Sequence, residues 1–192
     1  MTPRTPHPPL QPSLWRTCRV LANRQRLRIF QRLLEQPGQT VSEIARRLKL
    51  RLPVASDYLR LLESRSLLTA RRTGKTVTYR IRSASSKTPV APLLRALKRI
   101  FEQDSKAIES LFHLCTAFTH PRRIEIYQAL SAGVQTAGQL RVKRRISAQA
   151  LARHLQKLEA RGFIGLRSGI YKVRRPRGEF GRALAGLALR SP

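Results

Sequence analysis

The 192-residue sequence predicts a mainly α-helical protein with small β-hairpins, built as two copies of one small domain. Three observations carry that prediction. LRLLESRSLL at 59–68 and LQKLEARGFI at 155–164 are nearly the same phrase, each preceded by basic residues and followed by an alternating apolar run. A longer register surrounds them: SLWRTCRVLANRQRLRIFQRLL from Ser13 lies over SLFHLCTAFTHPRRIEIYQALS from Ser110. Cys18 thus meets Cys115 and, after a one-residue slip in the next turn, Thr40 meets Thr136 and Leu59 meets Leu155. The repeat is domain-sized, whereas solenoid repeats are shorter. Finally, the hydrophobic period changes within a copy from helical spacing to two, which marks helices followed by a hairpin.

Each element has its own signal. Residues 1–12, MTPRTPHPPLQP, are proline-rich and lack the apolar stretch of a signal peptide, so they read as a disordered tail. Leu14, Cys18, Leu21 and Ala22 form one helical stripe, and Leu27, Phe30, Leu33 and Leu34 form a second that Pro37-Gly38 stops. Thr40-Val41-Ser42-Glu43 is a capping box, matched by Thr136-Ala137-Gly138-Gln139 in the second copy. The helix it opens buries Val41, Ile44, Ala45 and Leu48 and turns Arg46, Arg47 and Lys49 outward. A turn at Leu50-Arg51 leads to Pro53, expected at the first position of a helix that buries Ala55, Leu59 and Leu62. Past Thr73-Gly74, Val77, Tyr79 and Ile81 alternate with Thr76, Thr78 and Arg80 as a hairpin. The stretch VAPLLRALKRIFEQDSKAIESLFHLCTAF keeps helical apolar spacing from Leu93 to Phe112 and predicts an amphipathic helical connection. EFGRALAGLAL predicts a tail helix.

Two short helices joined by a tight turn and followed by a basic hairpin make a winged helix-turn-helix. The expected division is a first such domain at 13–83, a helical connection at 84–109, and a second domain with a C-terminal helix at 110–192. The stretch from LANRQRLRIF through TVSEIARRL and LRLLE to RRTGKTVTYRI resembles the arsenic-repressor (ArsR) family of transcription regulators. ISAQALARHLQKLEARGFIGL resembles it in the second copy. The resemblance implies a symmetric dimer built from first and last helices, with two recognition helices about 34 Å apart. A fused tandem meets that requirement internally, so the two readers are expected to pack as an intramolecular pseudo-dimer. It also departs from the family's metal sensors, because VSEIARRLKL holds no ligand. The second wing, LRSGIYKV, is shorter and less basic than the first.

Composition narrows the function. With 39 Lys and Arg against 10 Asp and Glu, the formal net charge is +29, which calls for an anionic partner. No apolar run approaches the roughly 20 residues of a membrane helix, and two cysteines without a CxxC pair fit a reducing compartment. Gly-rich phosphate loops, nucleophile elbows and paired carboxylates are all missing, so no enzyme is expected. Neither a metal, a cofactor nor a small-molecule ligand is evident. Double-stranded DNA is the expected partner and the cytoplasm, on the nucleoid, the expected location, with the chain acting as a monomeric pseudo-dimer or as a homodimer. The leading function is a transcription regulator using both readers; the alternative is a sequence-tolerant architectural protein that coats DNA. Aromatic residues at 6% are sparse for RNA base stacking.

Helix phase assigns the candidate contacts. Arg51, Leu52, Pro53, Ser56, Asp57 and Arg60 face away from the first core stripe, as do Ser147, Ala148, Gln149, Ala152, Arg153 and Gln156 from the second. Gln149 and Arg153 are the best base-reading candidates, since amides pair with adenine and guanidinium with guanine. Asp57, by contrast, would be repelled by phosphate. Arg46, Arg47, Lys49, Arg71, Arg72, Lys75, Lys143, Arg144 and Arg145 are the expected phosphate clamps. His154, at the position of Tyr58, either touches DNA or supports its helix; His113 and His120 read as surface or interface residues. Cys18 and Cys115 read as small core residues, the sharper alternative being a thiol sensor across the pseudo-dyad.

Overall fold

A computed structural model describes residues 13–84, 89–133 and 136–191; the tail expected at 1–12 lies outside them. The chain opens with α1 (Leu14–Leu21) and α2 (Arg24–Glu35). Between them the Asn23 side chain accepts the Arg26 N–H at 3.0 Å and caps α2, a device that contributes about 1 kcal/mol. A short strand β1 (Gln39–Thr40) precedes α3 (Val41–Arg47) and α4 (Leu52–Ser64). The capping box at the head of α3 is formed: Glu43 N–H donates to Thr40 Oγ1 at 3.2 Å, and Thr40 N–H donates to the Glu43 carboxylate at 2.7 Å. Pro53 stands second in α4 rather than first, because the helix already starts at Leu52. Its missing N–H falls in the unpaired first turn either way.

Strands β2 (Leu68–Thr73) and β3 (Thr76–Ile81) then form the long hairpin, with Leu68 opposite Ile81 and Thr73 opposite Thr76. Gly74 at φ +58° makes the turn. β1 adds to the free edge of β3, giving the order β1-β3-β2, all antiparallel. The first winged helix-turn-helix arrangement is therefore present, with a third strand that the sequence pattern did not announce.

The connection expected as one helix is broken. α5 (Ala91–Gln103) ends where Asp104 takes an extended backbone, and Asp104 Oδ1 accepts the Lys106 N–H at 2.8 Å. An aspartate that bonds its own local backbone competes with the helix and ends it. α6 (Ile108–Cys115) follows at once, then a 3-10 turn (Thr116–Phe118), α7 (Pro121–Ser131), α8 (Ala137–Arg144) and α9 (Ala148–Ala160). β4 (Ile164–Arg167) and β5 (Ile170–Val173) form a shorter hairpin, and α10 (Gly178–Arg190) closes the chain. Ser168 and Gly169, at φ +51° and +75°, give the short hairpin a two-residue turn whose twist matches its strands.

One continuous core runs through both halves. α1 packs against α6 and the 3-10 turn, α2 against α6, and α5 against α10. Cys18 and Cys115 are wholly buried among these helices. Phe118 meets Phe163 edge to face at 4.7 Å and Tyr127 at 5.4 Å, while Phe101 of α5 reaches Phe30 of α2 at 6.2 Å. Each such side chain, fully buried, contributes about 1.5–3 kcal/mol. At the rim, Arg24 grips Glu109 through two bonds of 2.6 and 2.8 Å and lies over the Phe112 ring at 4.0 Å. Arg99 pairs with Glu179 at 2.7 Å.

Candidate nucleic-acid interface

The interface begins with two tight turns. α3 and α4 are joined through Lys49 at φ +53°, and α8 and α9 through Arg145 at φ +48°. Both residues are left-handed, and both turn their side chains to solvent. Left-handed backbone at a non-glycine residue costs on the order of 1 kcal/mol and persists only where packing enforces it. Here Ile44 and Leu59 on one side, and Leu140 and Leu155 on the other, are buried and fix the two helices of each pair.

The outer faces follow from that packing. Arg46, Arg47, Lys49, Arg51, Pro53 and Arg60 are exposed around α3 and α4, with Ser56 half-buried among them. Arg71, Arg72 and Lys75 are exposed on the long hairpin. Lys143, Arg145, Ser147, Gln149, Arg153 and Gln156 are exposed around α8 and α9. Arg144 differs: it is half-buried and its Nε is enclosed without a hydrogen-bond partner among the described residues. The N-cap of α9 is Ser147, whose Oγ accepts the Ala150 N–H at 3.3 Å, so this hydroxyl is occupied within the protein.

The two candidate faces are chemically unequal. A shallow cleft of about 420 Å3 between α3 and α4 is lined by Val41, Ser42, Leu52, Pro53, Ser56, Asp57 and Arg60. Leu52 is 53% exposed there, and Asp57 joins none of the ion pairs among the described residues. α9 presents the Gln149 and Gln156 amides and the Arg153 guanidinium in place of these.

Beneath both faces lies an arginine that sequence reasoning missed. Arg26 Nε donates to the Val20 carbonyl and its Nη2 to the Arg19 carbonyl; Arg123 does the same to Ala117 and Thr116. Burial lowers the proton affinity of both guanidiniums. Their signal in the sequence is the shared register, which places Arg26 over Arg123. Around Arg26 the site is filled by the Tyr58 ring, 5.2 Å from its guanidinium. Around Arg123 it is open: His120, Arg123, Ala150, Arg153, His154 and Lys157 line a cavity of about 400 Å3. His120 and His154, which no sequence motif links, stand with ring centres 4.8 Å apart.

Cys18 and Cys115 are brought near each other, and burial pushes both thiols well above their ordinary range. Among the described residues no group of three or more His, Cys, Asp or Glu side chains is placed to hold a metal ion, and no helix is long and apolar enough to cross a membrane.

A family model described as a helix-turn-helix domain matches residues 21–71, from the end of α1 through α4 and into β2. DNA is the partner of such domains, and transcription regulation their usual role. No curated protein and no solved structure matches the chain.

Proposed function

We propose that the chain is a transcription regulator resembling the ArsR family, which binds duplex DNA through two winged helix-turn-helix readers, 13–83 and 110–192, held as an internal pseudo-dimer. The observation that carries this reading is the matched pairing of helices across the chain, α1 with α6 and α5 with α10. α5 then serves the first reader as α10 serves the second. Both helices have 13 residues. Gln31 donates to the Ser105 carbonyl just past α5, and Gln128, its counterpart, donates to Ala188 and Ser191 at the end of α10.

On this reading α4 and α9 enter successive major grooves, about 34 Å apart. Gln149 and Arg153 contact bases, while Arg46, Arg47, Lys49, Arg51, Arg60, Arg71, Arg72, Lys75, Lys143 and Arg145 hold phosphates. A cytoplasmic place on the nucleoid follows from that partner, and no cofactor is required. The exposed Leu52, Pro53 and Asp57 favour a second reading, an architectural protein that coats DNA with little regard to sequence.

Selection of bound duplexes from a random library of about 30 base pairs separates the two. A preference of about a thousandfold over a scrambled duplex, with half-sites one turn apart, upholds the regulator. A flat ranking with a steep salt dependence upholds the coating protein.

A further inference from the structure

The cavity between the start of α7 and the flank of α9 is unusual in what lines it. Four of its six lining residues are Arg123, Arg153, Lys157 and His154, a fifth is His120, and no carboxylate is among them. Arg123 turns its Nε and Nη2 inward to the Ala117 and Thr116 carbonyls of the 3-10 turn, so these donors are taken and the residue lends the cavity its charge. His120 Nδ1 accepts the Arg122 N–H at 3.1 Å and caps α7. Its remaining proton is therefore on Nε2, which is a donor.

The corresponding place in the first half shows that this lining is not a by-product of the fold. Asn23, Asp57, Tyr58 and Leu61 stand where the second half has His120, Arg153, His154 and Lys157; only the arginine, Arg26 or Arg123, is common. Every one of the four differences adds a positive or protonatable group, and one removes a negative charge. In the first half Tyr58 fills the space over Arg26. In the second half the space is left open among like charges, an arrangement that repels itself until an anion enters.

We propose that this cavity binds a phosphate-class anion, with Lys157 and the Nε2–H of His120 as its donors and with Arg153 as a third whenever no DNA base engages it. His154 has the freedom to take up a proton as the anion arrives. It is faced by His120, Arg122 and Arg123 from α7 and by Arg153 from its own helix, and burial together with these neighbours holds its imidazole below the ordinary range. His120 is lowered likewise, by burial and then by Arg123 and Arg122, with Arg19 of α1 adding to them; Glu125 alone opposes, and Arg122 already pairs with it at 2.9 Å. A bound anion opposes that balance at His154, so binding tightens as pH falls. The anion is either a backbone phosphodiester of bound DNA, which carries one negative charge, or a free phosphate, which carries up to two. Binding of the free ion stands apart from the DNA-binding reading and is measured without DNA.

The test is calorimetric titration of the full chain with sulfate, whose charge is constant across the range, with chloride holding the ionic strength. One sulfate should bind, about tenfold more tightly near pH 6 than near pH 8. Lys157→Leu should weaken it about tenfold, and the double change Arg153→Asp with His154→Tyr should abolish it, at unchanged circular dichroism. Sulfate held no more tightly than chloride, or held equally by Lys157→Leu, overturns the proposal. Adding duplex to the sulfate-loaded protein then identifies the source. Release of sulfate makes backbone phosphate the occupant, retention makes it a free phosphate, and each upholds the site. Failure of any duplex to bind would sink the DNA reading and leave the sulfate result intact.

Discussion

Lys75 and Gln149 are the pair of side chains that best separates positioning from reading. Lys75 occupies the turn of the long hairpin, between Thr73 and Thr76, and is exposed. A cation there meets a phosphate as a point charge and carries no sequence information. Removing it in Lys75→Ala takes away one released counter-ion. The plot of log affinity against log salt should flatten by about 0.9, which is roughly a threefold smaller loss of affinity between about 50 and 200 mM salt. Gln149 is the second residue of α9 and is exposed at the end of the helix that would enter the groove. Its amide can hold an adenine through two bonds, worth about 1–3 kcal/mol of discrimination, or roughly 5- to 150-fold. Gln149→Ala should therefore lower affinity for the selected duplex but not for one altered at that base pair, with the salt slope unchanged. Fluorescence anisotropy with both duplexes at two salt concentrations measures all four quantities. If Lys75→Ala changes the ratio between duplexes, or Gln149→Ala weakens both alike, the division of labour is wrong.

Further outcomes follow from the packing. Phe118→Ala should cost about 3–5 kcal/mol, and because the 3-10 turn lies on α1, the fluorescence of the sole tryptophan, Trp15, should report the loss in a urea titration. An unchanged Trp15 midpoint would mean that the two halves do not share a core. Thr40→Ala and Thr136→Ala should each cost about 1 kcal/mol by chemical denaturation, and additively, since the boxes serve separate helices. Cys18 and Cys115 should react with thiol reagents only as fast as the protein unfolds. Burial raises both thiols in the folded state, so their contribution to stability is complete below the unfolded value, about 8.5, and is lost as pH rises through the folded value. Denaturation midpoints near pH 7.5 and 9.5 should thus differ more in the native sequence than in Cys18→Ala with Cys115→Ala.

The local devices were legible because each is written in adjacent residues. Thr40 with Glu43, Thr136 with Gln139 and the turn at Gly74 specify their own hydrogen bonds, and the structure has them. The break at Asp104 was not legible, because the apolar spacing from Leu93 to Phe112 continues across it and only a backbone bond to Lys106 ends α5. β1 escaped notice for a related reason: two residues have no period, and Gln39 becomes a strand only when Tyr79 lies beside it. His120 and His154 are 34 residues apart and share no motif, so their meeting depends on how α7 and α9 cross. Arg26 and Arg123 were visible as repeated residues, but a cation's destination, inward to carbonyls or outward to phosphate, is set by packing and not by its identity.

The inequality of the halves bears on why one chain would hold both. A homodimer must present the same side chains twice, so any change that helps one half-site is imposed on the other. On the proposed reading, joined readers escape that constraint: the first half has the longer, more basic hairpin and carries Leu52, Pro53 and Asp57 on its outer face, while the second half has the shorter hairpin and the cationic cavity. Fusion of two readers would also remove association from the binding equilibrium, because the second would be delivered at an effective concentration set by the shared core rather than by the amount of protein. On the proposed reading, the first reader anchors through phosphate contacts and the second discriminates. A change that damages α9 should then cost selectivity with little loss of bulk affinity, whereas removal of Arg71 and Arg72 should do the reverse. Equal consequences from the two would mean that the readers act alike, and the differences at positions 57 and 153 would have to be explained by folding alone.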